Sequence, residues 1–204
     1  MSAWKKDGDE WTDQAAFCKQ PYEAWKASLI DTFIKPNATG KIVLEIGFGH
    51  GRWTESLISV AKQVFAVDIF LDNATYCRKK FLNMENVRFL VNDGYTIPSQ
   101  TPAIDFVWSY DSFVHFKPED IYSYLKEMKR LLVPGGIAII HHASNGGVEG
   151  GGRSYMTRHL LTAMLDEVGL NLMAQTDSWG NQHQYNCRLF GDCISTIQSL
   201  QSKP

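Results

Sequence analysis

The sequence predicts an α/β fold with a doubly wound, Rossmann-like, mostly parallel seven-stranded sheet and an antiparallel C-terminal hairpin strand. Three observations predict it. Short apolar runs alternate with helical patterns from residue 41 onward, the first run leads directly into a glycine cluster, and the last two strand patterns follow each other without a helix. Strands joined by helices pair in parallel and are covered on both faces, whereas strands joined directly pair antiparallel.

The elements follow in order along the chain. Apolar spacing over 11–33 predicts one or two short helices broken near Pro21, and the loop 36–40 ends this part. We therefore expect an N-terminal helical cap over 1–40 and an α/β domain over 41–204. Strands are predicted at 41–46, 63–67, 87–91, 104–109, 137–142, 170–177 and 185–195. Helices are predicted at 52–61, 71–82, 118–132 and 154–168.

Charge and hydropathy narrow the classes of function. The 204 residues include 20 Lys+Arg and 22 Asp+Glu, for a formal charge of −2. This balance disfavours nucleic-acid binding and favours a small-molecule substrate. The apolar runs fall far below the roughly 20 residues of a membrane span, and the first residues lack the apolar core of a signal peptide. We therefore expect a cytoplasmic location, where the four thiols stay reduced. No C-x-x-C pair is present, so neither a zinc site nor a redox motif is indicated.

The glycine cluster is the strongest local signal for a ligand. Gly47, Gly49 and Gly51 follow the first predicted strand, at the turn where open α/β sheets bind nucleosides. Glycine permits positive φ and lets a ligand approach the backbone. A dinucleotide fingerprint needs glycine at position 52, where Arg52 stands, and no G-x-x-x-x-G-K-[ST] is present. NAD and a phosphate-cradling loop are therefore disfavoured.

Acidic and amide side chains end the next two predicted strands. Asp68 ends the second, where a carboxylate accepts hydrogen bonds from ribose hydroxyls. Asn92 and Asp93 follow the third and would meet the exocyclic amine of a purine, with Gly94 behind them. Together with the glycines, these residues predict an adenosine pocket. Glu45 lies in a mostly apolar strand, so we expect it to accept hydrogen bonds from backbone N–H groups or a ligand amine.

This order of motifs resembles the class I S-adenosylmethionine-dependent methyltransferases over about residues 41–200. The turn at 132–136 and the reversed last strand fit the same order. The resemblance implies S-adenosylmethionine as cofactor and S-adenosylhomocysteine as product. The resemblance implies that the residues around the methionine moiety are Glu45, Gly47, Phe48, Gly49 and Gly51. It also implies that Asp68 and Ile69 hold the ribose, and that Asn92, Asp93 and Gly94 meet the adenine. The backbone of Ser109 and Tyr110 would line the sulfonium side.

Candidates for proton removal from the methyl acceptor follow the fourth and fifth predicted strands. Asp111 and His115 are four residues apart, so a helix would put them on one face as an imidazole base oriented by a carboxylate. The alternative is a capping Asp and a packed His. His141 and His142 end the next strand on opposite faces, so only one can face the crevice. Asp192 is a further candidate. Two adjacent histidines suggest a metal site, but no carboxylate cluster accompanies them, so no metal is predicted.

A glycine-rich segment at 144–155 is predicted to be a mobile loop at the mouth of the site, with a plain connection as the alternative. Arg153 and Tyr155 would grip a polar substrate, and Trp11 with Trp25 would cover it. The polar-aromatic turn near 179–184 suits a carbohydrate.

We expect methyl transfer to a small polar acceptor, favouring O-methylation of a saccharide or related hydroxyl compound. This preference rests on a similarity to bacterial small-molecule and sugar methyltransferases. The alternatives are a protein methyltransferase, a non-catalytic S-adenosylmethionine-binding regulatory protein and a nucleotide-dependent oxidoreductase. The N-terminal helices could serve a homodimer or a lid.

Overall fold

The computed structural model describes residues 21–98, 103–147, 152–188 and 191–200. Its strands are β1 (Ile42–Ile46), β2 (Gln63–Asp68), β3 (Val87–Val91), β4 (Ile104–Ser109), β5 (Leu132–Ala143), β6 (Leu170–Thr176), β7 (Ser178–Trp179), β8 (Tyr185–Asn186) and β9 (Asp192–Ser199). Its α-helices are α1 (Tyr22–Leu29), α2 (Lys35–Ala38), α3 (Thr54–Val60), α4 (Leu71–Lys80), α5 (Pro118–Leu131) and α6 (Arg158–Val168). A π-helical turn joins α1 to α2.

The main sheet has seven strands in the order β3-β2-β1-β4-β5-β9-β6. The first five strands pair in parallel, and β9 is antiparallel to both of its neighbours. This confirms the predicted fold class. The order reverses between β1 and β4, so the crevice expected for a ligand opens at the carboxyl ends of these two strands.

Helices cover both faces of the sheet. Helices α1 to α4 bury residues such as Trp25, Leu29, Leu57 and Cys77 in one hydrophobic cluster. Helices α5 and α6 bury the other face through residues such as Tyr124, Leu125, Leu161 and Leu165. Alternate side chains of each central strand therefore point into different cores, which fixes the face of every residue at a strand end.

The C-terminal part departs from the sequence prediction. The predicted strand over 185–195 is wrong in its bounds, since β8 pairs with β7 in a small separate hairpin and the sheet strand begins at Asp192. Gly191, with φ +67°, adopts the left-handed conformation directly before β9, so the extended backbone of β9 begins only after this residue. The antiparallel partner of β6 is therefore β9.

The fifth strand is longer than predicted. The turn expected at 134–136 lies within β5, and a register shift between Ile104 and Phe106 of β4 accommodates it.

At the N-terminus, α1 begins directly after Pro21, where a helix break was predicted. Trp25 packs near Tyr110 at the carboxyl end of β4, with ring centroids 5.8 Å apart. Trp11 and Cys18 lie outside the described residues, so the cap over 1–40 stays a prediction. In the described part of the chain, no helix is long and apolar enough to cross a membrane.

Candidate active site

The three glycines after β1 serve different purposes. All have positive φ, at +75° for Gly47, +53° for Gly49 and +80° for Gly51. A Cβ on Gly47 would overlap the Ser112 hydroxyl, and one on Gly51 would come within 2.6 Å of Phe81. A Cβ on Gly49 would meet nothing within 4 Å. Gly49 is thus the glycine of the three whose missing side chain leaves open space for a ligand.

Asp68, at the end of β2, holds the glycine turn in place. Its Oδ2 accepts a hydrogen bond from the Gly49 N–H at 3.0 Å, and its Oδ1 accepts one from the Phe70 N–H at 2.9 Å. Each carboxylate oxygen can accept a further bond, so this buried group can still receive hydroxyl donors. Ile69 follows it and is 47% exposed, as an apolar surface beside the crevice.

The residues after β3 divide their roles. Asn92 donates from Nδ2 to the Tyr124 hydroxyl at 2.8 Å, while its buried Oδ1 accepts no hydrogen bond from the described residues. Asp93 accepts from the Thr96 N–H at 2.7 Å, and such backbone bonds lower the pKa of its carboxyl. Gly94 follows with φ +91°. Asp93 therefore shapes the turn, and Asn92 holds an acceptor available to a ligand amine.

Glu45 and Phe48 differ from the expectations for them. The buried Glu45 carboxyl accepts from the Thr54 hydroxyl at 2.6 Å rather than from a backbone N–H, and burial raises its pKa to about 8. The Phe48 ring packs edge-on against Phe89, with centroids 5.2 Å apart. Only the backbone of Phe48 therefore belongs to the turn.

The carboxyl end of β4 is tied to its neighbours on both sides. Ser109 donates from Oγ to the Ile46 carbonyl of β1 at 2.8 Å. The Tyr110 ring stacks on the His141 imidazole of β5, with centroids 4.1 Å apart. Trp53 packs against the same Tyr110 ring at 5.2 Å. These contacts hold the strand ends beside the glycine turn in fixed positions.

Four charged side chains and one imidazole lie in a row near this edge of the sheet. The Oδ2 atom of Asp111 lies 3.4 Å from Nη1 of Arg52, and its Oδ1 atom lies 3.2 Å from Nδ1 of His141. His141 Nε2 lies 3.6 Å from Asp192 Oδ2, and Asp192 contacts Arg153 at 2.8 Å. We call these five residues the ionic chain. All are largely buried, and on each side of the central imidazole there is one carboxylate and, beyond it, one guanidinium.

The predicted pairing of Asp111 with His115 is wrong. Residues 111–116 form turns rather than a helix, and Asp111 has φ +68°, which is incompatible with a right-handed helix. Its carboxylate therefore turns toward His141. His115 Nδ1 lies instead 2.7 Å from the carbonyl oxygen of Gly152. A carbonyl only accepts, so Nδ1 carries the hydrogen of this bond, and in the neutral ring Nε2 carries the lone pair.

Burial lowers the pKa of His115, although the bond to Gly152 opposes the shift. The imidazole is therefore neutral near pH 7, in the form that can accept a proton.

Of the two histidines at the end of β5, His141 lies against Tyr110 and Asp111, which follow β4, and His142 does not. His142 Nε2 lies 2.7 Å from Ser195 Oγ, and its Nδ1 lies 2.7 Å from the Ala143 carbonyl. Burial lowers its pKa to about 4. We therefore remove His142 from the catalytic candidates, because strand alternation directs it into the opposite core.

Arg153 does not serve as the exposed substrate grip that the sequence suggested. Its guanidinium binds both oxygens of Asp192, and its side chain is 5% exposed. Tyr155, in contrast, is 80% exposed. Among the described residues, no group of three or more His, Cys, Asp or Glu side chains could hold a metal ion.

The sequence reasoning missed Arg52 as a partner of Asp111. The available signal was a cation directly after the glycines, where it can reach the end of the adjacent strand β4.

The strand order, and the glycine turn with its acidic partners, are those of the fold that class I S-adenosylmethionine-dependent methyltransferases share. Residues 43–136 match the family model described as "Methyltransferase domain".

Two curated relatives and one solved structure illustrate the similarity. An uncharacterized methyltransferase-like protein of Schizosaccharomyces pombe is 33% identical over 96 residues, which cover 47% of this chain and 35% of that protein. A fatty-acid O-methyltransferase of Mycolicibacterium smegmatis is 28% identical over 107 residues, covering 52% and 38%. The matched segments thus span little more than a third of these relatives. The structure of an S-adenosylmethionine-dependent methyltransferase from Clostridium acetobutylicum aligns with a TM-score of 0.72 at 16% identity, covering 93% of this chain and 96% of that one.

Proposed function

We propose that this protein binds S-adenosylmethionine at the carboxyl ends of β1, β2 and β3. The open space at Gly49, the remaining acceptor capacity of Asp68 and the unsatisfied Asn92 Oδ1 fit a ligand with ribose hydroxyls and a purine amine. When bound, this cofactor supplies a methyl group whose bond to a positively charged sulfur breaks with the electron pair left on sulfur. The residues of the site then have to align the acceptor, exclude water and remove a proton.

We propose that the acceptor atom is a hydroxyl oxygen and that His115 removes its proton. The single observation that carries this is the contact between His115 Nδ1 and the Gly152 carbonyl, which directs the basic lone pair to Nε2. The acceptor proton goes to Nε2, and the resulting imidazolium keeps its Nδ1–H bond to the carbonyl. His115 is partly exposed as a residue while its Nε2 atom is buried, so on this proposal the acceptor hydroxyl enters the site to reach it.

His141 and Asp111 would then act beside the reaction. The ring stack with Tyr110 and the flanking carboxylates hold His141 in the ionic chain, where it fixes the end of β5. We propose these two as positioning residues rather than as the base.

The substrate class that we propose is a saccharide or a related small hydroxyl compound. Exposed polar side chains at 181–184, next to the partly exposed ring of Tyr185, support a carbohydrate, whereas Trp179 is buried in the core. The similarity to a fatty-acid O-methyltransferase supports transfer to oxygen and makes a carboxylate acceptor the first competitor. We further propose a cytoplasmic location. We also propose a homodimer, and light scattering of the purified protein tests this oligomeric state.

The test is transfer of a radiolabelled methyl group from S-adenosylmethionine to panels of glycosides, fatty acids and a protein lysate. We expect labelled glycosides and, for His115→Ala, a turnover lower by about 100-fold or more with unchanged cofactor affinity. His159→Gln is the matched control because His159 is exposed on α6. Full turnover of His115→Ala would reject the base, and label confined to the lysate would favour a protein methyltransferase. Cofactor binding without transfer to any panel would favour a regulatory protein.

A further inference from the structure

The end of the glycine-rich segment is fixed to the sheet by a buried ion pair. Arg153 donates from Nε to both oxygens of Asp192 at 3.1 Å, and from Nη2 to Oδ2 at 2.8 Å. The two side chains are 5% and 2% exposed. Asp192 is the first residue of β9 and pairs with Ala143 of β5. The ion pair therefore attaches Arg153 to a strand of the sheet, and both oxygens of the Asp192 carboxylate accept hydrogen bonds from it.

The residues on either side of Arg153 contact the turn that carries the proposed base. The Gly152 carbonyl lies 2.7 Å from His115 Nδ1, and the Ser154 N–H donates to the Val114 carbonyl at 2.8 Å. Residues 152–154 thus connect the turn at 114–115 to β9. The carbonyl that contacts His115 belongs to the residue directly before the ion-paired arginine.

We infer that Arg153 and Asp192 are a positioning pair that fixes the Gly152 carbonyl and thereby selects the His115 tautomer with hydrogen on Nδ1 and the lone pair on Nε2. The tautomer of a neutral imidazole is set by the hydrogen bond that its other nitrogen makes. If the carbonyl moves away, the hydrogen is free to occupy Nε2, and the base then presents a donor where a lone pair is needed. This inference rests on the proposed role of His115 in methyl transfer.

The same two residues act on His115 through their charges. Arg153 lowers the pKa of His115, whereas Asp192 and Asp111 raise it. Loss of either residue frees the Gly152 carbonyl, and loss of that bond lowers the pKa of His115. Loss of Arg153 also removes a charge that lowers this pKa, whereas loss of Asp192 removes one that raises it, so the pKa should fall further in the Asp192 variant. A general loss of structure would instead expose the ring and raise the pKa, because burial is the main cause that lowers it.

The test is long-range ¹H–¹⁵N NMR of the full chain with ¹⁵N-labelled histidine, with the His115 signals assigned from their absence in His115→Gln. We expect the Nδ1–H tautomer in the wild type, and a loss of at least half of it in both Arg153→Met and Asp192→Asn. We also expect kcat to fall by about 10- to 100-fold. Arg158→Met is the matched control, because it removes a partly exposed ion pair between Asp177 and the first residue of α6 and should leave the His115 tautomer unchanged.

In pH profiles of kcat, the apparent pKa should fall in both variants, and further in Asp192→Asn than in Arg153→Met. If either variant fails to fold, Arg153→Lys, which keeps the charge but cannot bind both oxygens, should give an intermediate tautomer population. An Nε2–H tautomer in the wild type, or an unchanged tautomer in the variants, would overturn the inference. A tautomer change in the variants together with full activity of His115→Ala would retain the positioning pair and reject the proposed base.

Discussion

The imidazole of His141 lies almost parallel to the phenol ring of Tyr110, with ring centroids 4.1 Å apart and 11° between the planes. Tyr110 directly follows β4, and His141 lies near the end of the adjacent strand β5. The stack orients the imidazole so that Nδ1 faces Asp111 and Nε2 faces Asp192. A packing contact between two rings therefore sets the geometry of the ionic chain.

Substitution of Tyr110 tests this role of the stack. Tyr110→Phe keeps the ring and should change the free energy of unfolding by less than about 1.5 kcal/mol. Tyr110→Leu removes the ring from a buried site and should cost about 2–4 kcal/mol. Urea unfolding at pH 7 measures both. Equal losses in the two variants would show that the hydroxyl, and not the ring contact, matters.

The buried Glu45 carboxyl should make stability depend on pH. Its pKa in the folded chain is about 8, against 4.5 for the ordinary group, so between these values the folded state binds more protons than the unfolded state. Glu45 therefore makes the folded state lose stability as pH rises from 4.5 to 8, by up to about 1.4 kcal/mol per unit. Urea unfolding at several pH values should show Glu45→Gln gaining on the wild type over this range. A constant difference would contradict the raised pKa.

His142 should act in the opposite direction at acid pH. Its pKa is about 4 in the folded chain and 6.5 ordinarily, so the unfolded state binds the extra proton between these values. Stability is then lost as pH falls from 6.5 to 4. His142→Gln should flatten this acid loss in denaturation curves, while His159→Gln on the surface should leave it unchanged. An acid loss that persists fully in His142→Gln would assign it to other groups.

The glycines of the turn should separate folding from ligand binding. Gly47→Ala creates an overlap with Ser112 and should destabilise folding by about 2–3 kcal/mol, part of which the second change Ser112→Gly should restore. Gly49→Ala meets no neighbour, so it should cost only about 1 kcal/mol for its positive φ while weakening cofactor binding. Thermal unfolding and calorimetric titration separate the two effects. Normal cofactor affinity in Gly49→Ala would mean that the ligand does not approach this glycine.

The sequence was informative where local chemistry and strand alternation decide the structure. Alternating apolar runs predicted the strands of the parallel sheet, and the glycines with Asp68 marked one end of it. Alternation also predicted that only one of His141 and His142 faces the crevice. It could not say which, because the face depends on the register of β5 against β4 and β9.

The sequence predictions that were wrong depend on contacts between residues that are distant in the chain. The spacing of Asp111 and His115 suggested a helix, but Asp111 adopts a left-handed conformation and pairs with Arg52 and His141. Arg153 was expected to face a substrate, yet its partner Asp192 is 39 residues away in the chain. No local pattern reports such pairs, since each depends on which strand ends the sheet topology brings together.

The most direct test of the central claim is calorimetric titration of the purified protein with S-adenosylmethionine and S-adenosylhomocysteine, with NAD and ATP as controls. We predict selective binding of the first two ligands. Affinity should fall by about 100-fold in Asp68→Ala, because the carboxylate loses its bonds to the ligand and to the Gly49 N–H. Asp72→Ala, an exposed acid on α4, should bind as the wild type does. No binding of either ligand, a preference for NAD, or undiminished affinity in Asp68→Ala would contradict the account.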